Sequence, residues 1–213
     1  MRYAPGHNEA ARNRIVNAAS RLFREDGIAA VGLAKIMTEA DLTVGTFYTH
    51  FKSKEALVRE TLLRALKVRH EELGQALREG DFEMAVRAYL SPEHRDAPGT
   101  GCPIAALASE VARHPRATRL TFAAQAAPSL DLVAACLSSR RGGAEVSRAE
   151  AAAFFGLLVG TLQLARATPD RAESDSILEA GLQAAFRLAA GTEAIAPSSR
   201  RHPAAQGVSS KPK

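Results

Sequence analysis

Residues 40–51 read A-D-L-T-V-G-T-F-Y-T-H-F, and this stretch decides the fold. Thr43 stands where a helix N-cap belongs, with a hydroxyl able to accept a free backbone N–H of the first turn. Phe47 and Phe51 are four apart, so they share one helix face and pack inward. Thr46, Tyr48, Thr49 and His50 point elsewhere and are small or polar. A helix this short does not hold itself together in water, because nucleation is costly below roughly 12 residues. Neighbours must clamp it, and its polar side must serve something outside the domain.

The preceding sequence supplies the clamp. Residues 8–27 form one amphipathic helix, with Ile15, Ala18, Ala19, Leu22 and Phe23 on the apolar stripe of a 3.6-residue period. Gly27 is its stop signal. A second short helix covers residues 32–40, with Leu33, Ile36 and Met37 inward, and only Asp41-Leu42 separates it from the third. Two short helices joined by so tight a turn form a helix-turn-helix pair, whose second helix enters the major groove of DNA.

Residues 11–57 resemble the DNA-binding domain of the tetracycline-repressor (TetR/AcrR) family of bacterial regulators. The pieces that carry the resemblance are I-V-N-A-A-S-R-L-F-R-E-D-G (15–27), I-M-T-E-A-D-L-T (36–43) and G-T-F-Y-T-H-F-K-S-K-E-A-L (45–57). Two later segments, Y-L-S-P-E-H-R-D (89–96) and G-C-P-I-A-A-L (101–107), resemble one branch of that family. The resemblance implies a homodimer on a palindromic double-stranded operator, most often a repressor released by a small-molecule effector. It implies phosphate contacts from Tyr48, His50, Lys52 and Lys54, and groove-facing positions at Thr43, Val44, Thr46 and Thr49. It also implies a mostly apolar effector pocket among the later helices, for which Tyr89, Thr121, Gln125 and Gln163 are the polar candidates.

The chain departs from many relatives. Val44 stands where a long polar residue is common, Ala34 where some relatives carry a base-contacting Arg, Gly32 where Ser or Thr caps the second helix, and Asp41 where the turn is usually Gly. Few long side chains therefore face the bases. The expected readout leans on thymine methyl contacts from Val44, Thr46 or Thr49, on close backbone approach at Gly45, and on DNA shape.

Composition is compatible with this reading. The chain has 213 residues, 46% of them hydrophobic, with no Trp and a net charge of +5. That suits an all-α protein and is compatible with a nucleic-acid partner. Cys102 and Cys136 make no disulfide framework, and residues 1–8 have no apolar leader, so a cytoplasmic protein is expected. The longest uncharged stretch, residues 151–165, is too short to span a bilayer, and no membrane partner is expected.

Residues 1–7 read as a loose arm. Ser53 opens a fourth helix that runs to about Leu77 and leaves the first domain, which makes it the mechanical link between the two halves. Asp81 caps a fifth helix, residues 91–101 read as a loop, and Pro103 starts a sixth. A seventh, residues 115–139, should kink or break at Pro128. Ser147 and Glu150 form a capping box for the eighth, and Ser174 opens the ninth, which ends at Gly191. The expectation is nine helices: a helix-turn-helix domain over residues 8–53, a ligand-binding and dimerisation domain over 54–191, and a disordered tail over 192–213 in which Arg200, Arg201, Lys211 and Lys213 could add DNA affinity.

The eighth helix is apolar nearly all round and must be covered on every side. Phe155, Gly156, Gly160, Gly181 and Ala184 on the last two helices are the candidate dimer interface, with burial inside one chain as the alternative. Cys102, at a helix start, is either a thiol sensor of electrophiles or oxidants, or a small packed residue. An activator without a ligand and a carrier acting through protein contacts are further alternatives. The six histidines show no metal-site spacing, His94 with Glu93 and Asp96 reads as a solvated loop cluster, and no nucleophile elbow, phosphate loop or dinucleotide fingerprint is present. No metal, cofactor or catalysis is expected.

Overall fold

The apolar stripe of the first helix and the aromatic rings of the third meet in one core. The computed structural model describes residues 5–79 and 81–191, and every regular element in them is helical. The first helix, α1 (Pro5–Asp26), ends at Gly27, whose φ of 87° lies in the left-handed region that glycine enters without steric cost. Then come α2 (Leu33–Glu39), α3 (Val44–His50) and the long α4 (Lys54–Glu79). Ile15, Phe23, Ile36, Met37, Phe47 and Leu57 are all buried in one cluster. Full burial of such side chains is worth about 1.5–3 kcal/mol each, and that burial holds a seven-residue α3 that could not persist alone.

The remaining helices are α5 (Phe82–Tyr89), α6 (Pro92–Asp96), α7 (Pro103–Val111), α8 (Arg116–Arg140), α9 (Arg148–Ala167) and α10 (Arg171–Ala189). A second core joins α5, α8, α9 and α10 around Leu137, Phe154, Leu162 and Ala185. Helix α7 has buried side chains in both cores. Leu107 and Val111 of α7 belong to the first cluster, Ala105 belongs to the second, and Ile104 packs against both.

Among the described residues, ten helices replace the expected nine. Within the expected loop, residues 92–96 are helical, because Ser91 caps them by accepting from the His94 N–H (3.2 Å) and Pro92 sits in the first turn. The arm shortens as well, since α1 already starts at Pro5; residues 1–4 and the tail 192–213 lie outside the described residues. Pro128 does not break α8, which continues from Arg116 to Arg140. Pro128 and Ala124 are both exposed, so the carbonyl that Pro128 leaves without a donor lies on the solvent side. The last helix begins three residues early. Asp170, not Ser174, caps it by accepting from the Glu173 N–H (2.8 Å), while the buried Ser174 hydroxyl donates to the Ala165 carbonyl (2.7 Å). The capping box of Ser147 and Glu150 is formed as expected.

Among the described residues one helix, α8, is long and apolar enough by composition to cross a membrane. It packs along α4, with Ser129 facing His70 at 3.5 Å, and its Asp131 pairs with Arg148 of α9 at 2.6 Å.

Candidate nucleic-acid interface and the cleft behind it

The recognition element is seated by rings. Phe47 is fully buried and stacks on Phe51 with centroids 5.6 Å apart, while Tyr48 stands edge-on to Phe47 at 5.2 Å and is 65% exposed. The Arg12 guanidinium lies 4.2 Å from the centroid of the Phe51 ring, and Arg12 also donates to the His50 carbonyl (2.7 Å), closing the C-terminal end of α3. The turn before α3 carries Asp41 at φ 51°, a conformation Asp tolerates at some cost. Arg14 holds it by donating to both its carbonyl and its carboxylate, each at 2.9 Å.

The expected cap of α3 takes a different form. Thr43 has the extended backbone of an N-cap, but its hydroxyl makes no capping bond and instead meets the Thr46 hydroxyl at 3.0 Å. Thr49 donates to the Thr46 carbonyl at 2.7 Å. These hydroxyls are partly spent within the helix; Thr43 and Thr49 are exposed and Thr46 is half-buried. Val44 is 45% exposed, and an added Cβ at Gly45 would meet nothing nearer than the Thr43 hydroxyl at 3.9 Å. Lys52 is exposed. His50 is half-buried, and burial followed by the neighbouring Arg12 lowers its pKa, so it stands as a neutral ring at pH 7.

Lys54 is the exception on this surface. It turns inward, donates to the Ile28 carbonyl (2.5 Å) and lies 5.9 Å from the Phe23 ring, locking α4 to the turn after α1.

Other ties run from the helix-turn-helix module to α7 and α8. The Glu110 carboxylate of α7 accepts from the N–H groups of Ile28 (3.1 Å) and Ala29 (3.0 Å). Glu55, in the first turn of α4, contacts His114 Nδ1 at 3.1 Å and accepts from the Thr118 hydroxyl. Burial works to raise the Glu55 pKa, but the bonds from Thr118 and His114 outweigh it and hold the carboxyl below its ordinary value. A depressed carboxylate stabilises the fold above its unfolded pKa, and that contribution is lost as pH falls through the folded value. Glu55→Gln is therefore expected to lower Tm at pH 7 and to flatten the decline in Tm on acidification below about pH 4.5. Parallel acid profiles for variant and wild type, by differential scanning calorimetry, would show that the contact carries no such stability. Arg12, Arg14, Glu110, His114 and Thr118 had no signal in the sequence, because each finds a partner far away in the chain.

Behind α4 a cleft of about 630 Å³ opens against α5 and α6, walled by Leu73, Ala76, Ala85, Ala88, Tyr89 and His94. It runs into a small apolar recess of about 40 Å³ beside Phe82, Phe154 and Phe155. The Tyr89 hydroxyl is buried without a hydrogen-bond partner, and burial, reinforced by the adjacent Cys102, raises its pKa well above the usual phenol value. His94 is not the solvated loop residue expected. Its Nδ1 donates to the Tyr89 carbonyl (2.7 Å) and its Nε2 accepts from the Cys102 N–H (3.0 Å), so both ring nitrogens are occupied. Burial lowers its pKa, as the neutral form requires.

The other pocket candidates lie elsewhere. Thr121 donates to the Ala117 carbonyl of its own helix (3.1 Å), Gln125 is half-exposed on α8, and the Gln163 amide spans to the Ala105 carbonyl of α7. The Cys102 thiol is 1% exposed, closed off from solvent at the start of α7. Of the candidate interface residues, Gly156 and Gly160 lie on an exposed stripe of α9 with Ala153 and Leu164, and Ala184 is half-buried. Phe155 turns inward, with its ring 5.6 Å from that of Tyr89. Gly181 is buried within the chain, where Thr161 leaves no room for a side chain.

Residues 15–61, from the middle of α1 into α4, match the family described as bacterial regulatory proteins, tetR family. Residues 15–61 are thus similar to the helix-turn-helix domain of that family. Its helix-turn-helix segment is 45% identical over 47 residues to the uncharacterized HTH-type transcriptional regulator YerO of Bacillus subtilis, and 38% identical over 56 residues to the HTH-type transcriptional regulator UidR of Escherichia coli. Those matches cover 22% and 26% of this chain but only 16% and 29% of the two relatives. The fold likeness is wider. The reduced form of NemR from Escherichia coli superposes with a TM-score of 0.68 at 22% identity, covering 84% of this chain and 96% of that one. The described residues thus share an all-helical fold with that solved structure.

Proposed function

We propose that this protein is a homodimeric transcriptional repressor that holds a palindromic operator through α3 and releases it when a small molecule enters the cleft between α4, α5 and α6. One observation carries the reading: the outward flank of α3 stays open to solvent while Phe47 and Phe51 anchor its back. On that flank Tyr48 and Lys52 serve as phosphate groups, with His50 a neutral donor beside them, and Val44, Gly45, Thr46 and Thr49 lie against the bases. Thr43 borders the groove from the turn. Lys54 acts instead as a brace between α4 and the α1 turn. With few long donors facing the bases, a single base change costs nearer the low end of about 1–3 kcal/mol.

Release follows from how α7 is seated. It contributes side chains to both cores, and its Glu110 holds the turn that precedes α2. A ligand whose affinity differs between two positions of α7 changes DNA affinity by that difference alone. The cleft sets an apolar wall of Leu73, Ala85 and Ala88 against Arg69, Glu72 and Glu93, and so suits a molecule with an apolar body and polar groups at its edge. The exposed small-residue stripe of α9, with Gly156 and Gly160, supports pairing with a second copy, and two-fold symmetry then matches a palindrome. Burial of Cys102 favours packing over thiol sensing.

The test begins with duplex DNA selected from a random pool. Tyr48→Ala is expected to weaken binding at least tenfold with an unchanged circular dichroism spectrum. Lys52→Ala should reduce the log–log salt slope by about 0.9 for each phosphate that Lys52 neutralises. A purified wild-type protein indifferent to every duplex at low ionic strength would end this reading.

A further inference from the structure

A second cleft, of about 410 Å³, opens where α1 meets α4 and the segment leading into α7. It adjoins the first, since Arg69, Glu72, Thr100 and Gly101 border both. Arg24 from α1 and Arg64 and Arg69 from α4 face it, and Ala65, Val68 and Pro103 give it an apolar wall.

The three guanidiniums are not equally paired. Arg64 holds the Glu60 carboxylate at 2.9 Å and also bonds the Asn13 side chain. Arg69 holds Glu72 at 3.2 Å. Arg24 has no carboxylate within 4.0 Å among the described residues, and its hydrogen bond to the Gly101 carbonyl is a long one, 3.3 Å. Its Nε is buried and has no acceptor. Burial lowers its pKa, so the protein spends stability to keep this cation in place. A partly desolvated guanidinium in the wall of a cleft, without a carboxylate partner, is an arrangement that a bound anion completes.

The surroundings narrow the anion. Arg24, Arg64 and Arg69 line the cleft against Glu72, and the Glu60 carboxylate that holds Arg64 also pairs with Arg12 at 3.4 Å, so the lining keeps a net positive charge that suits an anion. A planar carboxylate can take two parallel N–H bonds from one guanidinium edge. Ala65, Val68 and Pro103 offer a surface for a hydrocarbon body, and the volume falls within the range of small-molecule sites. We infer that the junction of α1 and α4 is a binding site for a small organic monocarboxylate, with Arg24 as its anion-binding residue. Because Arg24 belongs to α1 while Ala65 and Val68 belong to α4, a bound acid ties the helix-turn-helix module to the linking helix. Only this consequence for DNA rests on the regulator reading; the binding itself does not.

The experiment is isothermal titration calorimetry of the full chain with sodium benzoate, sodium octanoate and inorganic phosphate at constant ionic strength. Saturable binding of at least one carboxylate is expected, tighter than phosphate and at least tenfold weaker in Arg24→Gln. Val68→Asp, at a half-exposed position on the cleft wall, should weaken it similarly by repulsion and decides the matter if Arg24→Gln does not fold. The inference is overturned if neither carboxylate saturates, if phosphate binds more tightly, or if affinity survives the folded variants. Operator binding is measured separately, so a protein that binds benzoate but no duplex would sink the regulator reading and leave this site standing.

Discussion

Phe47→Ala is expected to destabilise the protein by about 3–5 kcal/mol and to abolish operator binding, although residue 47 faces away from DNA. The ring is fully buried, lies against both Phe51 and Tyr48, and belongs to the core that unites α1, α2, α3 and α4. Its removal leaves a cavity that a seven-residue helix cannot close by shifting, because the Arg12 bond to the His50 carbonyl fixes the end of α3. An α3 without its anchor is marginal in water. Apparent DNA affinity then falls in proportion to the fraction of molecules in which α3 is folded.

Comparison with Tyr48→Ala separates anchoring from contact. Tyr48 is largely exposed, so its truncation should leave Tm within about a degree or two of wild type, as is usual for surface positions. Phe47→Ala should lower Tm by on the order of 10 °C and increase amide exchange in residues 44–50. If Phe47→Ala kept its Tm while losing DNA, the ring would have to act outside the core, and α3 would not depend on it for its seat.

The elements legible in sequence are those whose cause is local. The stripe of α1, the Gly27 stop, the capping box at Ser147 and the paired Phe47 and Phe51 each depend on residues within one or two turns. What escaped prediction depends on tertiary partners. Thr43 has the right residue type for a cap, yet the Thr46 hydroxyl competes for its side chain. Ser174 looked like a helix start because it follows a polar run, but Arg95 of α6 and the Ala165 carbonyl of α9 claim its hydroxyl. Lys54 reads as a free surface cation until the Ile28 carbonyl is seen to hold it. The two clefts were the least legible features. Their distinctive groups are a tyrosine hydroxyl without a partner in one and an arginine without a carboxylate in the other, and an unmet partner leaves no trace in sequence.

The glycines of the last two helices give the other large effect, and with it a test of the dimer. An exposed helical glycine costs about 1 kcal/mol relative to alanine, so an open Gly→Ala change stabilises. Gly160 is such a position, since an added Cβ would meet nothing within 4 Å in the single chain. Gly181 is the opposite case. There the Cβ would lie 2.2 Å from Thr161 Cγ2 and 2.9 Å from Thr161 Cβ, so rotating the threonine cannot make room. Overpacking of this kind costs about 1–3 kcal/mol and can cost more, which exceeds the propensity gain. Gly181→Ala is therefore expected to lower Tm, and most of the loss should return in the double variant with Thr161→Ala, whose coupling a double-mutant cycle measures directly. Gly160→Ala should show a different signature if α9 pairs closely with its copy: a rise in the stability of the single chain together with weaker self-association by analytical ultracentrifugation. An unchanged dissociation constant in Gly160→Ala would mean that this stripe is not where the subunits approach. A Tm unaffected by Gly181→Ala would mean that α9 and α10 are spaced more widely than the Thr161 contact requires.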